Sequence, residues 1–144
     1  MNSQLFLSEF ASPDSRRRSK LILSVDDEAN ILYTREAILE AEGYTVLSAS
    51  EGEDALELFD AHPVIDLVLL DFAMPGMDGL TIAREMKSRR PSVPIYMVSA
   101  HEAALLKLNP ICVDAFIWKG TGPAYLLHKV NQLFSPVAAL PRSA

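Results

Sequence analysis

Three carboxylates in this sequence stand directly after mostly apolar runs. Asp71 follows the run 65–70 and precedes a loop rich in proline and glycine, while Asp26 and Asp27 follow the run 21–25. If both runs are buried parallel strands, their carboxyl ends bring the three acids together at one edge of a sheet. Clustered carboxylates repel one another and raise each other's pKa unless a cation lies among them. The pattern therefore predicts a pocket that binds magnesium and accepts a phosphoryl group.

A hydroxyl and an amine follow two later apolar runs in the same way. Ser99 comes after the run 94–98, and Lys119 comes after the run 113–118. The carboxyl ends of these runs add both side chains to the edge that is predicted to hold the acids. Each also has a simpler interpretation, because Ser99 could be an ordinary strand-end hydroxyl and Lys119 a solvated lysine.

Other residues near these positions have structural interpretations. Asp26 could be the N-cap of the helix that follows it, with Asp27 in the first turn near the positive end of the helix dipole. Asp78 is predicted to cap a helix that starts at Gly79 rather than to bind a metal. The histidines show no spacing typical of a metal site; they are His62, His101 and His128.

The elements that must position these side chains alternate along the chain. Strands are predicted at 21–25, 44–49, 65–70, 94–98 and 113–118. Helices are predicted at 29–42, 51–61, 79–89, 102–108 and 122–134. Gly43 is expected to end the first helix. Such an alternation implies right-handed crossovers and a parallel sheet that is covered by helices on both faces.

In four of the helical stretches, 29–42, 51–61, 79–89 and 122–134, the apolar residues are expected to lie together on one face. In 29–42 these are Ile31, Leu32, Ala37, Ile38, Leu39 and Ala41. In 122–134 they are Tyr125, Leu126, Leu127, Val130, Leu133 and Phe134.

Composition and charge restrict the class of protein. The chain has 144 residues, 49% of them hydrophobic, which suits one domain at 20–134 between a flexible extension at 1–19 and a tail at 135–144. The net charge of −6 speaks against direct binding to nucleic acid or to an anionic membrane. The one cysteine, Cys112, is expected to be a small core residue. No stretch is long enough to span a bilayer, and a cytoplasmic protein is expected.

Four motifs at the predicted strand ends give the chain a family resemblance. They are Val25-Asp26-Asp27-Glu28, Leu70-Asp71 with Met74-Pro75-Gly76-Met77-Asp78-Gly79, Val98-Ser99-Ala100, and Phe116-Ile117-Trp118-Lys119. With these motifs in this order, the chain resembles the CheY-like receiver domains of two-component response regulators over about residues 20–134. The resemblance implies an α/β fold of the flavodoxin-like (βα)5 type, a doubly wound parallel sheet of five strands in the order 2-1-3-4-5.

The resemblance also implies a role for each residue of the pocket. Asp71 is the implied phosphoryl acceptor, and Lys119 pairs with it before transfer and with a phosphoryl oxygen afterwards. Mg²⁺ is the implied cofactor, with Asp26, Asp27, Asp71 and the backbone carbonyl of Ala73 as its ligands.

Two further residues are implied to report the transfer to the rest of the domain. Ser99 contacts the phosphoryl group, and Phe116 is the switch aromatic whose ring changes rotamer when Ser99 moves. Burial alone would also explain an aromatic residue at Phe116.

The chain departs from the family pattern after two of its strands. Gly120 follows Lys119 where the family commonly has a proline on a cis bond. A cis bond before any other residue costs about 2.5–4 kcal/mol, so a trans bond is expected here. The segment between Ser99 and Phe116 is slightly short and contains Pro110, so the helix near 102–108 and the signalling face are expected to differ.

Ala73 and His101 lie two residues after Asp71 and Ser99, at positions that influence phosphate loss in this family. Ala73 cannot position a water molecule by hydrogen bonding. A long-lived phosphorylated state is therefore expected, unless His101 orients the attacking water.

The leading interpretation is a stand-alone receiver that catalyses only its own phosphorylation and dephosphorylation. The implied partners are a sensor histidine kinase or phosphotransfer protein upstream and an unidentified protein downstream, and a homodimer is left open. The ten residues after Phe134 are expected to be too few for a DNA-binding module. The alternative is a pseudo-receiver that binds partners without phosphorylation. A Mg²⁺-dependent phosphohydrolase is less favoured, because Ala73 stands where such enzymes place a second aspartate.

Overall fold

The structure is a computed structural model that describes residues 19–100 and 112–135. The predicted helix at 102–108, His101, and nearly all of the predicted extension and tail lie outside these residues. Within the described ranges, no helix is long and apolar enough to cross a membrane.

Five strands and four α-helices alternate along the described chain. The strands are β1 (Leu21–Val25), β2 (Thr45–Ala49), β3 (Leu67–Asp71), β4 (Ile95–Ser99) and β5 (Ala115–Trp118). The α-helices are α1 (Ala29–Ala41), α2 (Gly52–Ala61), α3 (Gly79–Arg89) and α4 (Pro123–Phe134), and a 3-10 turn at Lys119–Thr121 joins β5 to α4. All strand pairs are parallel, and the order β2-β1-β3-β4-β5 confirms the predicted sheet.

The core forms one layer on each face of the sheet. Successive residues of a strand point to opposite faces, so Leu67 and Leu69 of β3 pack with Leu39 of α1 and with residues of α4. Val68 and Leu70 point the other way and pack with α2 and α3. Every residue of β1, β3 and β4 is buried, as expected of the central strands of a parallel sheet.

The ends of the elements follow from local residue chemistry. Asp78 Oδ1 accepts a hydrogen bond from the Thr81 N–H at 2.8 Å, so Asp78 is the N-cap of α3, as predicted. Gly43 follows the C-cap of α1 with a φ of +103°, a conformation that favours glycine, and it ends the helix as predicted. The peptide bond between Lys119 and Gly120 is trans, as expected.

The strand boundaries differ from the predicted ones by one or two residues. Strands β3, β4 and β5 begin at Leu67, Ile95 and Ala115, later than the apolar runs suggested. Ile65, for example, is buried, but it lies before the first strand residue. Its N–H donates to the carbonyl of His62 in a turn rather than to a neighbouring strand. Asp71 is the last residue of its strand rather than the first residue after it.

The inward faces of two helices were only partly predicted. In α1, Ala37 and Ala41 are exposed, whereas Leu32 and Leu39 are buried. Tyr125 of α4 was wrongly assigned to the core, since it is 40% exposed. The buried face of α4 is formed by Leu126 and Val130, and Tyr125 precedes the first of them. Cys112 is buried, as predicted.

Candidate functional site

The three acids that follow the apolar runs meet at the carboxyl end of the sheet, where β1 and β3 are neighbours. Asp26 directly follows β1 and is 0% exposed, and Asp71 ends β3 and is 3% exposed. Asp27 is exposed. One carboxylate oxygen from each acid lies within 4.8 Å of the other two. This donor set suits Mg²⁺, which takes few protein carboxylates and completes its coordination with carbonyls and water.

Lys119 reaches the acid cluster from the 3-10 turn after β5. Its Nζ lies 3.0 Å from Asp26 Oδ2 and 3.3 Å from Asp71 Oδ1. A third carboxylate oxygen, Glu28 Oε1, lies 3.8 Å away. Burial would lower the pKa of the Lys119 amine, but its hydrogen bonds and attraction to Asp26 and Asp71 outweigh burial and raise it. Lys119 is therefore held as a cation between the two buried acids.

The surroundings of Asp71 oppose its negative charge. Burial and the neighbouring charge of Asp26 raise the pKa of the Asp71 carboxyl from 3.8 to about 6, and the amine of Lys119 limits this rise. The carboxylate is thus destabilised as long as the cluster has no further positive charge. Any group that neutralises the cluster would favour the ionised form of Asp71.

Asp26 is bonded through both of its carboxylate oxygens. Oδ1 accepts a hydrogen bond from the Glu28 N–H at 3.0 Å, which holds the turn that leads into α1. The N-cap residue of α1 is Glu28, so Asp26 does not cap the helix itself. Oδ2 contacts Lys119 and also Nη2 of Arg35, at 3.4 Å. The other guanidinium nitrogen, Nη1, donates to Ser24 Oγ at 3.2 Å.

Arg35 is the residue of this site that the sequence reasoning missed. It is 5% exposed on α1 and lies three residues after Leu32 and four before Leu39, both of them buried. That spacing places all three on one helical face. An arginine in the middle of an apolar stripe was the signal that could have identified it.

The other predicted site residues lie on β4, on β5 and in the loop after β3. Ser99 ends β4 and is 1% exposed, and in the register of the sheet it lies opposite Trp118. The indole N–H of Trp118 donates to the carbonyl of Ala100 at 3.3 Å, which ties β5 to the residue after Ser99. Phe116 is half-buried and packs against the layer formed with α2 and α3. Ala73 is exposed in the loop after β3.

The loop after Asp71 is held close to the strand end. The Gly79 N–H donates to the carbonyl of Phe72 at 2.8 Å. A Cβ at Gly79 would lie 2.4 Å from the Asp71 carbonyl oxygen and 2.9 Å from the Phe72 Cα, so only glycine fits there. The close approach of α3 therefore fixes the backbone that carries the Asp71 carboxylate.

Comparison with protein families identifies one match over most of the chain. The family model described as "Response regulator receiver domain" matches residues 22–131. A probable transcriptional regulator ycf27 of Cyanidium caldarium is 34% identical over 119 residues, which cover 81% of this chain and 47% of the relative. The alkaline phosphatase synthesis transcriptional regulatory protein PhoP of Bacillus subtilis is 36% identical over 84 residues, or 58% of this chain and 35% of that protein. The chain thus spans less than half the length of these two curated relatives.

Solved structures give the same match. The response regulator TrrA of Thermotoga maritima, solved in complex with Mg²⁺ and beryllofluoride, is 35% identical with a TM-score of 0.74, covering 79% of this chain and 98% of that one. A second structure, in which the histidine kinase ThkA is in complex with TrrA, matches at 34% identity and a TM-score of 0.70, covering 81% of this chain and 99% of the matched chain.

Proposed function

This chain belongs to the family of response regulator receiver domains, and from that membership we propose that Asp71 accepts a phosphoryl group from a phosphohistidine. The donor is a sensor histidine kinase or a phosphotransfer protein. The observation that carries the proposal is the position of Lys119 Nζ, 3.3 Å from Asp71 Oδ1 within a cluster of three carboxylates. A nucleophilic carboxylate beside a fixed cation is the arrangement that phosphoryl transfer requires.

In the proposed reaction an Asp71 carboxylate oxygen forms the new bond to phosphorus while the bond from phosphorus to the histidine nitrogen breaks. The imidazole leaves with the electron pair of that bond and takes up a proton. Lys119 holds the carboxylate in place before transfer and offsets the charge of the phosphoryl oxygens afterwards. Asp26, Asp27, Asp71 and the carbonyl of Ala73 are the proposed ligands of Mg²⁺. Bound there, Mg²⁺ would shield the negative charge of the incoming phosphoryl group.

We propose that the switch runs through Ser99 and Phe116. The phosphoryl group adds acceptor oxygens next to the end of β4, and the Ser99 hydroxyl moves to donate to them. That movement would change the space available to the ring of Phe116, which is half-buried against the core layer that contains α2 and α3. The surface that changes would then bind a downstream protein.

The output is proposed to be a protein contact rather than direct DNA binding, since the net charge of −6 disfavours contact with phosphates. A stand-alone organisation, a cytoplasmic location and a homodimer remain predictions. We also propose that the protein catalyses only its own phosphorylation and dephosphorylation and acts on no other substrate.

The test is an amide NMR experiment on the wild type and on Asp71→Asn with Mg²⁺ and beryllofluoride, a mimic of the phosphoryl group. We expect Mg²⁺-dependent shifts that spread from Asp71 to Ser99 and Phe116 in the wild type and are absent in the variant. Asp54→Asn is the matched control, because it removes an exposed acid of α2 outside the cluster. A wild type without shifts would instead indicate a pseudo-receiver.

A further inference from the structure

Arg35 places a fixed positive charge behind the acid cluster, on the buried side of Asp26. The side chain is 5% exposed, and the two groups that it contacts, Asp26 and Ser24, are each 0% exposed. Ser24 and Asp26 are two residues apart on β1 and its extension, so both face the layer that contains α1. The guanidinium contacts one group with each terminal nitrogen, at 3.2 Å to Ser24 Oγ and 3.4 Å to Asp26 Oδ2.

Packing alone does not require a charge at this position. The same face of α1 buries Leu32 and Leu39, and an aliphatic side chain would extend that stripe. A buried arginine carries a desolvation cost that only a well-bonded partner offsets. Burial lowers the pKa of the guanidinium, and the charges of Asp26 and Asp71 partly offset this effect. The partner that stabilises Arg35 is therefore the acid cluster.

The bonds to Asp26 show what Arg35 does to that cluster. A carboxylate oxygen has two acceptor sites, and on Oδ2 these are taken by Arg35 and Lys119. On Oδ1 one site is taken by the Glu28 N–H, and no other group within residues 19–100 and 112–135 donates to it. Asp26 is thus held at both oxygens and offers one acceptor site to a cation or to its bound water.

We propose that Arg35 is a positioning residue that neutralises Asp26 from inside the protein, keeps the cluster assembled without a bound cation, and weakens the binding of Mg²⁺. The three carboxylates of the cluster with Lys119 and Arg35 carry about one net negative charge, or about two if the more exposed Glu28 is counted. Removal of Arg35 would add one negative charge in either case. The larger negative charge would attract a divalent cation more strongly. This inference rests on the proposed magnesium site, and it concerns how readily that site is emptied.

The test compares neutral and charged substitutions of Arg35 in the full chain. Arg35→Met removes the charge and keeps the length, Arg35→Gln removes the charge and keeps a hydrogen-bond donor, and Arg35→Lys keeps the charge. The matched control is Arg90→Met. Arg90 is half-buried near the opposite edge of the sheet, where it bonds the His62 carbonyl at 3.1 Å and lies over the Phe59 ring. Mg²⁺ affinity is measured by calorimetric titration and by the unfolding midpoint at increasing Mg²⁺ concentration.

Both neutral variants are expected to unfold more easily than the wild type in EDTA and to bind Mg²⁺ about tenfold more tightly. Mg²⁺ should therefore raise their unfolding midpoints more than it raises the wild-type midpoint. Arg35→Lys should stay near the wild-type affinity. Arg90→Met should lose stability without any change in affinity, which separates the loss of a packed arginine elsewhere in the fold from the loss of the charge beside Asp26.

Two results would overturn the inference, and they can be told apart. If the wild type binds Mg²⁺ but Arg35→Met and Arg35→Gln bind it equally well or more weakly, the role of Arg35 is wrong and the proposed function stands. If the wild type does not bind Mg²⁺ in either measurement, the proposed magnesium site fails and the inference fails with it.

Discussion

The Asp71 carboxylate is ionised at neutral pH in surroundings that favour its protonated form. Its pKa is raised to about 6 by burial and by Asp26, whereas in the unfolded chain it returns to about 3.8. Between these values the folded state holds a proton that the unfolded state has lost. The folded state therefore loses stability as the pH rises through this window.

Asp71→Asn is accordingly expected to stabilise the protein in EDTA by about 1–2 kcal/mol at pH 7. The gain should vanish near pH 4, grow between pH 4 and 6, and stay constant above about pH 7. Lys119 keeps its 3.0 Å contact with Asp26 in the variant, so no cation is left without a partner. Urea unfolding of both proteins across this pH range measures the difference. A constant difference at every pH would show that Asp71 is not the group that titrates.

Ala73 is the residue that we predict a water molecule to meet beside a phosphorylated Asp71. Its methyl group is exposed and offers no hydrogen bond, so we predict slow loss of phosphate from the wild type. Ala73→Asn introduces an amide that can orient water and is expected to speed dephosphorylation about tenfold, within the range of positioned proton-transfer groups. Ala73→Leu is the control, because it adds bulk without an amide. Release of radiolabelled phosphate measures the rates, and a wild type that dephosphorylates faster than Ala73→Asn contradicts the prediction.

At the scale of elements, helix α3 fixes the end of β3 through the close approach of Gly79. A Cβ at this position would lie 2.4 Å from the backbone oxygen of Asp71, and backbone cannot move aside without moving the carboxylate. Gly79→Ala is therefore expected to cost about 2–3 kcal/mol of unfolding free energy and to weaken phosphorylation of Asp71.

Gly52→Ala is the matched control for this substitution. Gly52 is likewise a buried first residue of a helix, but the atoms closest to its added Cβ are side-chain rather than backbone atoms: Ile82 Cδ1 at 2.9 Å, and Met77 Cβ and Sδ at 3.2 Å. We expect a cost below about 1 kcal/mol and normal phosphorylation, measured by urea unfolding and by labelling with a phosphodonor. Equal costs for the two alanines would contradict a special role for the contact with Asp71.

The elements themselves were largely predictable, because the central strands β1, β3 and β4 are buried on both faces and appear as apolar runs. The order of the strands does not follow from that pattern, and the family resemblance alone predicted it. Register and boundaries depend on turns, as Ile65 illustrates by being buried before β3 begins. Arg35 escaped prediction because a helical pattern is identified by its apolar members, and a buried charge is explained only by a partner on another element. That partner, Asp26, is nine residues away in sequence and was assigned to the pocket on other grounds.

At the scale of the whole molecule, the two core layers share the same strands. Leu39 of α1 lies in one layer and Phe59 of α2 in the other, and both are 0% exposed. Neither layer can persist without the sheet, because alternate residues of each central strand belong to opposite layers. Damage to either layer should therefore lower the stability of the entire described fold, including the site at the end of the sheet.

We predict that Leu39→Ala and Phe59→Ala each lower the free energy of unfolding by about 3–4 kcal/mol in one shared transition. Their effects should add in the double variant, since the two side chains pack on opposite faces of the sheet. Far-ultraviolet circular dichroism follows the helices, and emission of Trp118, the single tryptophan, follows the end of β5 beside Lys119. Coincident curves from the two probes would establish that the site is lost together with both layers. If Trp118 emission changed at lower denaturant than the helical signal in either variant, the site edge would be an independently unfolding unit, and the coupling of the layers through the sheet would be wrong.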